Sequence, residues 1–406
     1  MATRAFEIGA ASARTAADAA LLSPRAPVGL RAVVSRRAVA VFASGRDAER
    51  LVAGVPAAAR LARSVAEAGI ADLVVVAEPG WVPGAFLRAE CRRFAPDVAT
   101  AFADTALVLG SRRPVVLLAG DRLPDTAAIA AAGAEPGAAR TIEPAALAIA
   151  IEAIRADGAG AEARLAAASR ALVRATAKPG DGIVSRWLNR PVSQAISRRL
   201  MRIPGIRPSQ ATYGTLALAV AMFACLVTGT RWGLVAGGLF YHAASVFDGV
   251  DGEIARATLR SSRAGAMFDS LVDAATNLAF FLGLTLAMSA DHAVWPARLG
   301  WTGLGCLALG LALIARAAAR RHAPFGFDLV KDHYRGTRAD GTPRPLSPVA
   351  GRIMVALTFA TSRDFFALAA AAAIVLGLVD GVLAVFALGT AAWLVAVIVA
   401  LRPRAA

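Results

Sequence analysis

Beyond about residue 210 the chain becomes a succession of apolar runs, near 212–229, 232–248, 265–289, 297–317, 364–380 and 382–401. Each has the roughly 17–25 residues that a helix needs to cross a bilayer. Backbone placed in hydrocarbon must satisfy its own hydrogen bonds, and runs of this length do so as helices. Residues 205–406 therefore read as an all-α, six-helix transmembrane domain. The 57% apolar fraction and the mean hydropathy of +0.56 come largely from this half.

Orientation follows from the arginines. Arg256, Arg260 and Arg263 lie between the second and third runs. Arg316, Arg320, Arg321, Lys331, Arg335, Arg338, Arg344, Arg352 and Arg363 fill or flank the connection between the fourth and fifth, and Arg402 and Arg404 follow the last. The opposite loops carry little more than Arg231, Arg298, Asp291 and Asp380. By the positive-inside rule both termini and these basic connections face the cytoplasm, in an inner (cytoplasmic) membrane. A net charge of +15 and a pI near 11.2 are compatible with nucleic acid. The clustering is juxtamembrane, however, and no nucleic-acid-binding signature is present, so anionic lipid headgroups are the expected partner and nucleic acid is not.

Between the second and third runs stand Asp248, Asp251-Gly252, Ala255-Arg256, Gly265, Asp269 and Asp273. A lone Asp at a membrane helix centre costs about 2.5–3.5 kcal/mol on insertion scales, so four carboxylates near one membrane face need cations or water as partners. Asp248 and Asp251 are three apart and Asp269 and Asp273 four apart, so each pair shares a helical face. If the two helices face each other, the four can converge on one small volume, where they cannot all remain charged alone. Two divalent cations would neutralise them. All-carboxylate ligation suits Mg²⁺, Mn²⁺ or Ca²⁺, and no Cys or His cluster favours zinc. Gly252 and Gly265 would let a ligand or the other helix approach the backbone closely. The bland reading of the same residues is a buried ion-pair network, such as Asp251 with Arg256.

The pattern Asp-x2-Asp-Gly-x2-Ala-Arg-x8-Gly-x3-Asp-x3-Asp, complete from Asp248 to Asp273, resembles the signature of the CDP-alcohol phosphatidyltransferase family at every fixed position. The resemblance implies a six-helix membrane enzyme that moves a phosphatidyl or similar group from a CDP-linked lipid donor, most simply CDP-diacylglycerol, to a small polar alcohol or alcohol phosphate, releasing CMP. It implies two Mg²⁺ or Mn²⁺ ions held by Asp248, Asp251, Asp269 and Asp273, with Asp273 as the base for the acceptor hydroxyl. Asp248, Gly252, Ala255, Arg256 and Gly265 would receive the CDP donor. It also implies a homodimer. The segment Pro208-Ser209-Gln210-Ala211-Thr212 resembles the family's Pro-Asn-x-x-Thr start of the first span, with Ser209 as a small capping residue in place of Asn.

Just before the first span, Leu188, Val192, Ile196, Leu200 and Ile203 recur at helical spacing opposite Arg190, Arg198, Arg199 and Arg202, with Pro191 suited to the first turn. Residues 183–204 read as an amphipathic helix lying in the membrane interface, with a soluble helix as the alternative. The long basic connection over about 318–350, with His322 and His333, is expected either to cap the catalytic mouth and recognise an anionic acceptor or to be a solvated loop. His242 is expected to be a satisfied intramembrane histidine rather than a ligand.

Residues 1–30 are Ala-rich with scattered charge and read as a poorly ordered lead-in, not a signal peptide. Over residues 31–177 short apolar runs alternate with Ala-rich helical stretches. Strands are expected at Ala38 to Ala43, Leu73 to Ala77 and Val115 to Ala119, with helices from Pro56 to Ala68 and across 144–175. That alternation predicts an α/β soluble domain with a parallel sheet. It resembles the nucleotidyltransferases that are fused to phosphatidyltransferases in some inositol-phosphate enzymes: a strand ending near Ala43, a helix opening at Val55-Pro56, and Asp121 at a strand end. Ala43-Ser44-Gly45-Arg46-Asp47 offers only one glycine, and no lysine follows Pro56. A phosphate cradle needs several exposed backbone N–H groups, so the domain reads as degenerate and non-catalytic, with Asp121 a cap or turn residue. Cys91, Cys225 and Cys306 form no disulfide framework.

Two alternatives stay open. One is a bifunctional cytidylyltransferase and CDP-alcohol transferase making inositol-phosphate-type products. The other, of a different class, is an intramembrane cation transporter, which CMP release would exclude.

Overall fold

The computed structural model describes residues 37–103, 108–109, 114–132, 137–178, 181–320 and 363–401. They form two compact units. The first holds the described residues up to Asp181 with Gln194–Arg207 and Gly252–Arg260; the second holds Gly182–Ser193, Pro208–Asp251 and the described residues from Ser261 onward.

The first unit is built on strands β1 (Arg37–Val41), β2 (Leu51–Val52), β3 (Val55–Pro56), β4 (Asp72–Val76), β5 (Ala99–Ala103), β6 (Val115–Ala119) and β7 (Ala139–Ile142). Five of them form a sheet in the order β5-β4-β1-β6-β7. The first four are parallel, with Val39 opposite both Val74 and Leu117. Strand alternation sends Ala38, Ala40, Leu73, Val75, Val116 and Leu118 to one face, against α2 (Ala57–Glu67) and α3 (Ala85–Phe94). Val39, Val41, Val74, Val76, Val115 and Leu117 fill the other, against α5 (Leu147–Ala156). Both faces are covered, which is why these strands read as unbroken apolar runs. β2 and β3 form a hairpin whose turn, Ala53-Gly54, has positive φ at both residues (47° and 81°), the pairing that matches strand twist.

Three expectations change here. The sheet is mixed, because β7 runs antiparallel to β6. The helix expected across 144–175 is two, α5 and α6 (Ala161–Ala175), divided by a tight 3₁₀ turn at Asp157–Gly160 where two glycines interrupt the pattern. β5 and β7 went unforeseen: Ala-Thr-Ala-Phe-Ala and Ala-Arg-Thr-Ile are short edge strands of modest β propensity, set by pairing with their neighbours. Helices α1 (Gly45–Glu49) and α4 (Thr126–Ala130) complete the α/β unit.

A single π turn at Ser185–Asn189 leads into α7 (Arg190–Leu200). Its buried side is carried by Ser193 and Ser197, while Leu188, Val192 and Ile203 of the expected apolar stripe stay exposed, as does Trp187.

The second unit is helical: α8 (Pro208–Leu226), α9 (Arg231–Thr258, whose last turns belong to the first unit), α10 (Arg263–Ala290), α11 (Val294–Arg320), α12 (Arg363–Val375) and α13 (Val379–Leu401). Four of these, α8, α10, α11 and α13, are long and apolar enough to cross a membrane. Among the described residues α9 is long enough but less apolar, because it carries part of the acidic motif, and α12 extends over only 13 residues. α8 packs along α10 and α11 along α13. The core joins Met222, Leu226, Tyr241, Phe280, Leu284, Ile374, Leu383 and Phe386, with Tyr241 stacked on Phe280 at 3.8 Å and Phe281 on Phe386 at 3.6 Å. Close approach of α11 to α13 requires Gly303 and Gly310, where a Cβ would strike Phe386 at 2.6 Å and Trp393 at 2.1 Å. Small residues at such crossings are how membrane helices gain contact without a hydrophobic drive. The basic connection over 318–350, with its cap role, His322 and His333, lies almost wholly outside the described residues.

Candidate active site

α9 presents Asp248 and Asp251, and α10 presents Asp269 and Asp273. α10 begins at a true cap: Ser262 is extended (φ −144°, ψ 152°) and its hydroxyl accepts from Gly265 N–H at 3.0 Å. Gly265 thus lies in the first turn of α10. α8 begins at Pro208, so Ser209 falls inside its first turn and not at the cap expected for it.

The two acidic helices are held in register further along their length. Tyr241 O–H donates to Asn277 Oδ1 at 2.7 Å, one helical turn beyond Asp273, and the Tyr241 ring lies flat on Phe280. With that register fixed, the carboxylates of Asp251 and Asp269 come within hydrogen-bonding reach, in the field of Asp248 and Arg363. Asp251 is buried and accepts from Thr212 Oγ1 at 2.7 Å. Asp269 Oδ1 is buried with no hydrogen-bond partner. Asp248 Oδ1 lies 3.0 Å from Arg363 Nη1, and Asp273 pairs with the same guanidinium nitrogen.

Arg363 and Thr212 are the residues that sequence reasoning did not assign to this site. Thr212 ends the Pro-Ser-x-x-Thr segment and so had a signal of its own. Arg363 was read only as one of many basic residues flanking the long connection. Its neighbour Asp364 anchors the start of α12: Asp364 Oδ1 accepts from Asn189 Nδ2 at 2.9 Å and from Ser245 Oγ at 3.0 Å, the latter one turn before Asp248. Arg363 is thereby aimed at the carboxylates.

The three other motif residues lie in the first unit. Gly252 faces its own helix neighbour, since a Cβ there would meet Arg256 Nη1 at 3.0 Å. Ala255 is half-buried. Arg256, expected at the donor, gives its Nε–H to the Thr176 carbonyl at 2.9 Å. His242 is not satisfied as expected; its Nδ1 is buried without a hydrogen-bond partner.

Among the described residues no group of three or more His, Cys, Asp or Glu side chains is drawn together tightly enough to hold a metal ion, so convergence of all four carboxylates is incomplete and a guanidinium joins Asp248 to Asp273. The donor chemistry nevertheless fits a hard cation. It is all oxygen, two carboxylates lie against each other, and one buried oxygen has no donor.

The crevice at the carboxyl ends of β1 and β6, where strand order reverses and such sheets bind ligands, has a different character. Ser44 caps α1, its hydroxyl accepting from Asp47 N–H. Gly45 N–H is taken by the Glu78 carboxylate, and a Cβ at Gly45 would collide with Trp81 at 2.1 Å. Asp121, buried on the 3₁₀ turn after β6, pairs with Arg164 of α6. The turn placement expected for Asp121 is the observed one.

The family model described as CDP-alcohol phosphatidyltransferase matches residues 206–392. This part of the chain, just under half of it, is similar to that family's domain. Its helices α8 to α13 include all four motif aspartates. Among curated relatives, a "Bifunctional IPC transferase and DIPP synthase" of Thermococcus kodakarensis is 37% identical over 130 residues, 32% of this chain and 28% of that protein. One of the same name from Rubrobacter xylanophilus is 36% identical over 175 residues, covering 35% and 39% respectively. A "Phosphatidylinositol phosphate synthase" of Mycobacteroides abscessus is 33% identical over 123 residues, 30% of this chain and 50% of that one. The chain thus spans between about a quarter and half of the length of these relatives.

Proposed function

We propose that the chain is a membrane phosphotransferase that moves the phospho-alcohol group of a CDP-linked lipid donor, most simply CDP-diacylglycerol, to a small polar alcohol or alcohol phosphate with release of CMP. The observation that carries this reading is the intact acidic motif whose four carboxylates are set on the facing helices α9 and α10 of a CDP-alcohol phosphatidyltransferase domain. The relative named phosphatidylinositol phosphate synthase makes an inositol phosphate the acceptor to try first.

In this reading Asp248, Asp251, Asp269 and Asp273 hold two divalent cations, Mg²⁺ or Mn²⁺. Bound there, such ions would grip the diphosphate and offset the charge that builds as it is cleaved. Asp273, about one-third exposed, takes the proton of the acceptor hydroxyl. The freed oxygen forms a bond to the donor's lipid-side phosphorus, and that phosphorus loses its bond to the bridging oxygen, which departs with CMP. Arg363, shared by Asp248 and Asp273, keeps positive charge beside the reacting phosphate. Thr212 fixes the rotamer of Asp251. Six spans, a cytoplasmic site and a homodimer belong to the same proposal.

The bifunctional names of four relatives raise a second activity for the α/β unit. We read that unit as non-catalytic, because Glu78, Trp81 and Arg164 already engage the crevice where a nucleotide would bind.

Lipid products identified by mass spectrometry test the reading, with the protein reconstituted with CDP-diacylglycerol and offered inositol phosphate, glycerol phosphate, inositol or serine. Wild type should yield CMP and one new phospholipid, and Asp273→Asn neither, while eluting as a folded protein. Turnover in Asp273→Asn would remove the base role; absence of CMP from wild type with every acceptor would end the transferase reading.

A further inference from the structure

Helix α9 does not simply stop. A helix C-terminus leaves its last carbonyls without intrahelical partners, and here those of Ala255, Ala257 and Thr258 find partners inside the first unit, which contains Gly252–Arg260 together with the sheet. Arg260 N–H reaches back to the Ala255 carbonyl at 2.9 Å while Leu259 adopts the left-handed conformation (φ 56°), the pattern of a Schellman ending. That position favours glycine, so a leucine there is held by its surroundings.

Two arginines supply the hold. Arg60 of α2 donates through Nη2 to the Ala257 carbonyl at 2.7 Å, and is braced on the β2–β3 hairpin through Val52 O (2.7 Å) and Ala53 O (3.0 Å). Arg93 of α3 donates to the Thr258 carbonyl at 3.1 Å and the Leu259 carbonyl at 3.4 Å. Buried Glu90 ties the arrangement together, 2.6 Å from Arg93 Nη2 and 2.6 Å from Arg260 Nη2. Among the described residues no carboxylate pairs with Arg60. Burial first, then the charges of Arg63 and Arg93, lower its pKa to about 10, so it is still cationic at neutral pH. Cations at a helix C-terminus also complement its dipole. Two further bonds fasten the same turns: Ser197 Oγ donates to fully buried Glu253 at 2.5 Å, and Arg256 Nε–H donates to Thr176 O.

We infer that the α/β unit is a positioning device for the motif helix: Arg60 and Arg93, with Glu90 between them, fix the end of α9 and through it the turns that bear Gly252, Ala255 and Arg256. This gives work to a unit whose own crevice is filled. Its catalytic consequence rests on the transferase reading, whereas the clamp itself does not. Arg60, Arg93 and Glu90 are positioning residues and touch no substrate.

The test uses the full chain in nanodiscs, comparing wild type, Arg60→Gln/Arg93→Gln and Arg93→Lys. Hydrogen exchange read by mass spectrometry should be about tenfold faster over residues 252–260 in the double variant, with strands β1 and β4 still protected, and near wild type in Arg93→Lys. CMP release from CDP-diacylglycerol should show kcat down about tenfold and KM raised, since displacement remote from the chemistry is amplified there. If the double variant also loses strand protection, the single Arg93→Gln takes its place with the same expected results. Unchanged exchange over 252–260 overturns the clamp whatever the activity, and faster exchange with unchanged kcat and KM overturns its catalytic role. A wild type that releases no CMP would refute the transferase reading alone, leaving exchange to decide the clamp.

Discussion

The crevice of the first unit and the acidic site of the second are both places where a fold gathers polar groups, and they are finished differently. At the carboxyl ends of β1 and β6, Gly45 N–H has Glu78, Asp121 has Arg164, and Ser44 has Asp47. On α9 and α10, Asp269 keeps a buried oxygen without a donor, two carboxylates face each other, and one guanidinium serves two acids. A buried polar group without a partner is costly, so a fold that leaves one standing has usually left it for a ligand. Self-satisfaction at these crevice groups, against incompleteness at the acidic site, is the contrast that supports placing the proposed chemistry on α9 and α10.

The largest effect that would sharpen the contrast is at Arg363, which is mostly buried between Asp248 and Asp273. Removing one partner of a buried ion pair strands the other charge. Arg363→Gln in EDTA should lose about 3 kcal/mol of stability, with Mg²⁺ restoring part of it, as read by thermal unfolding in nanodiscs. A melt insensitive to both the substitution and Mg²⁺ would show that the carboxylates do not depend on positive charge.

Asp121→Asn should do less and do it differently. Its partner Arg164 is about a third exposed, so solvent screens the pair and the loss should be about 2 kcal/mol. CMP release should remain at the wild-type level, measured in parallel. A large fall in turnover without unfolding would make the crevice functional and break the comparison.

An effect that vanishes at neutral pH, and is the smallest there, lies in the core of the first unit. Burial, reinforced by Glu90, pushes the Cys91 thiol up from 9.0 to about 12. The folded state keeps the proton that the unfolded chain loses, so this contribution is complete below about pH 9 and disappears as pH rises toward 12. Stability should fall by up to roughly 1.4 kcal/mol per pH unit in that window. Cys91→Ala should flatten the slope in alkaline denaturation; an unchanged slope would place the titration elsewhere.

Much of this arrangement was legible in the residues. The aspartate spacing gave both acidic pairs, because three and four residues fix a helical face whatever the surroundings. Strands β1, β4 and β6 showed as apolar runs covered on both faces. Arg363 was not legible, since its partners lie far back along the chain and nothing local marks one arginine among many. β5 and β7 were hidden because alanine-rich edge strands take their conformation from the strand beside them. The division of α5 from α6 was within reach, as Gly158 and Gly160 stand at the break. Nothing local marks Arg60 or Arg93, and only the end of α9 gives them a role.

The bond from Tyr241 to Asn277, with the ring of Tyr241 flat on Phe280, makes α9 and α10 one girder. Sliding one past the other by a single residue would rupture that bond and unstack the rings before it parted Asp251 from Asp269. Under the proposed function, the breathing that admits a lipid donor and releases its product is expected from the other helices of this unit, moving around a beam that stays stiff.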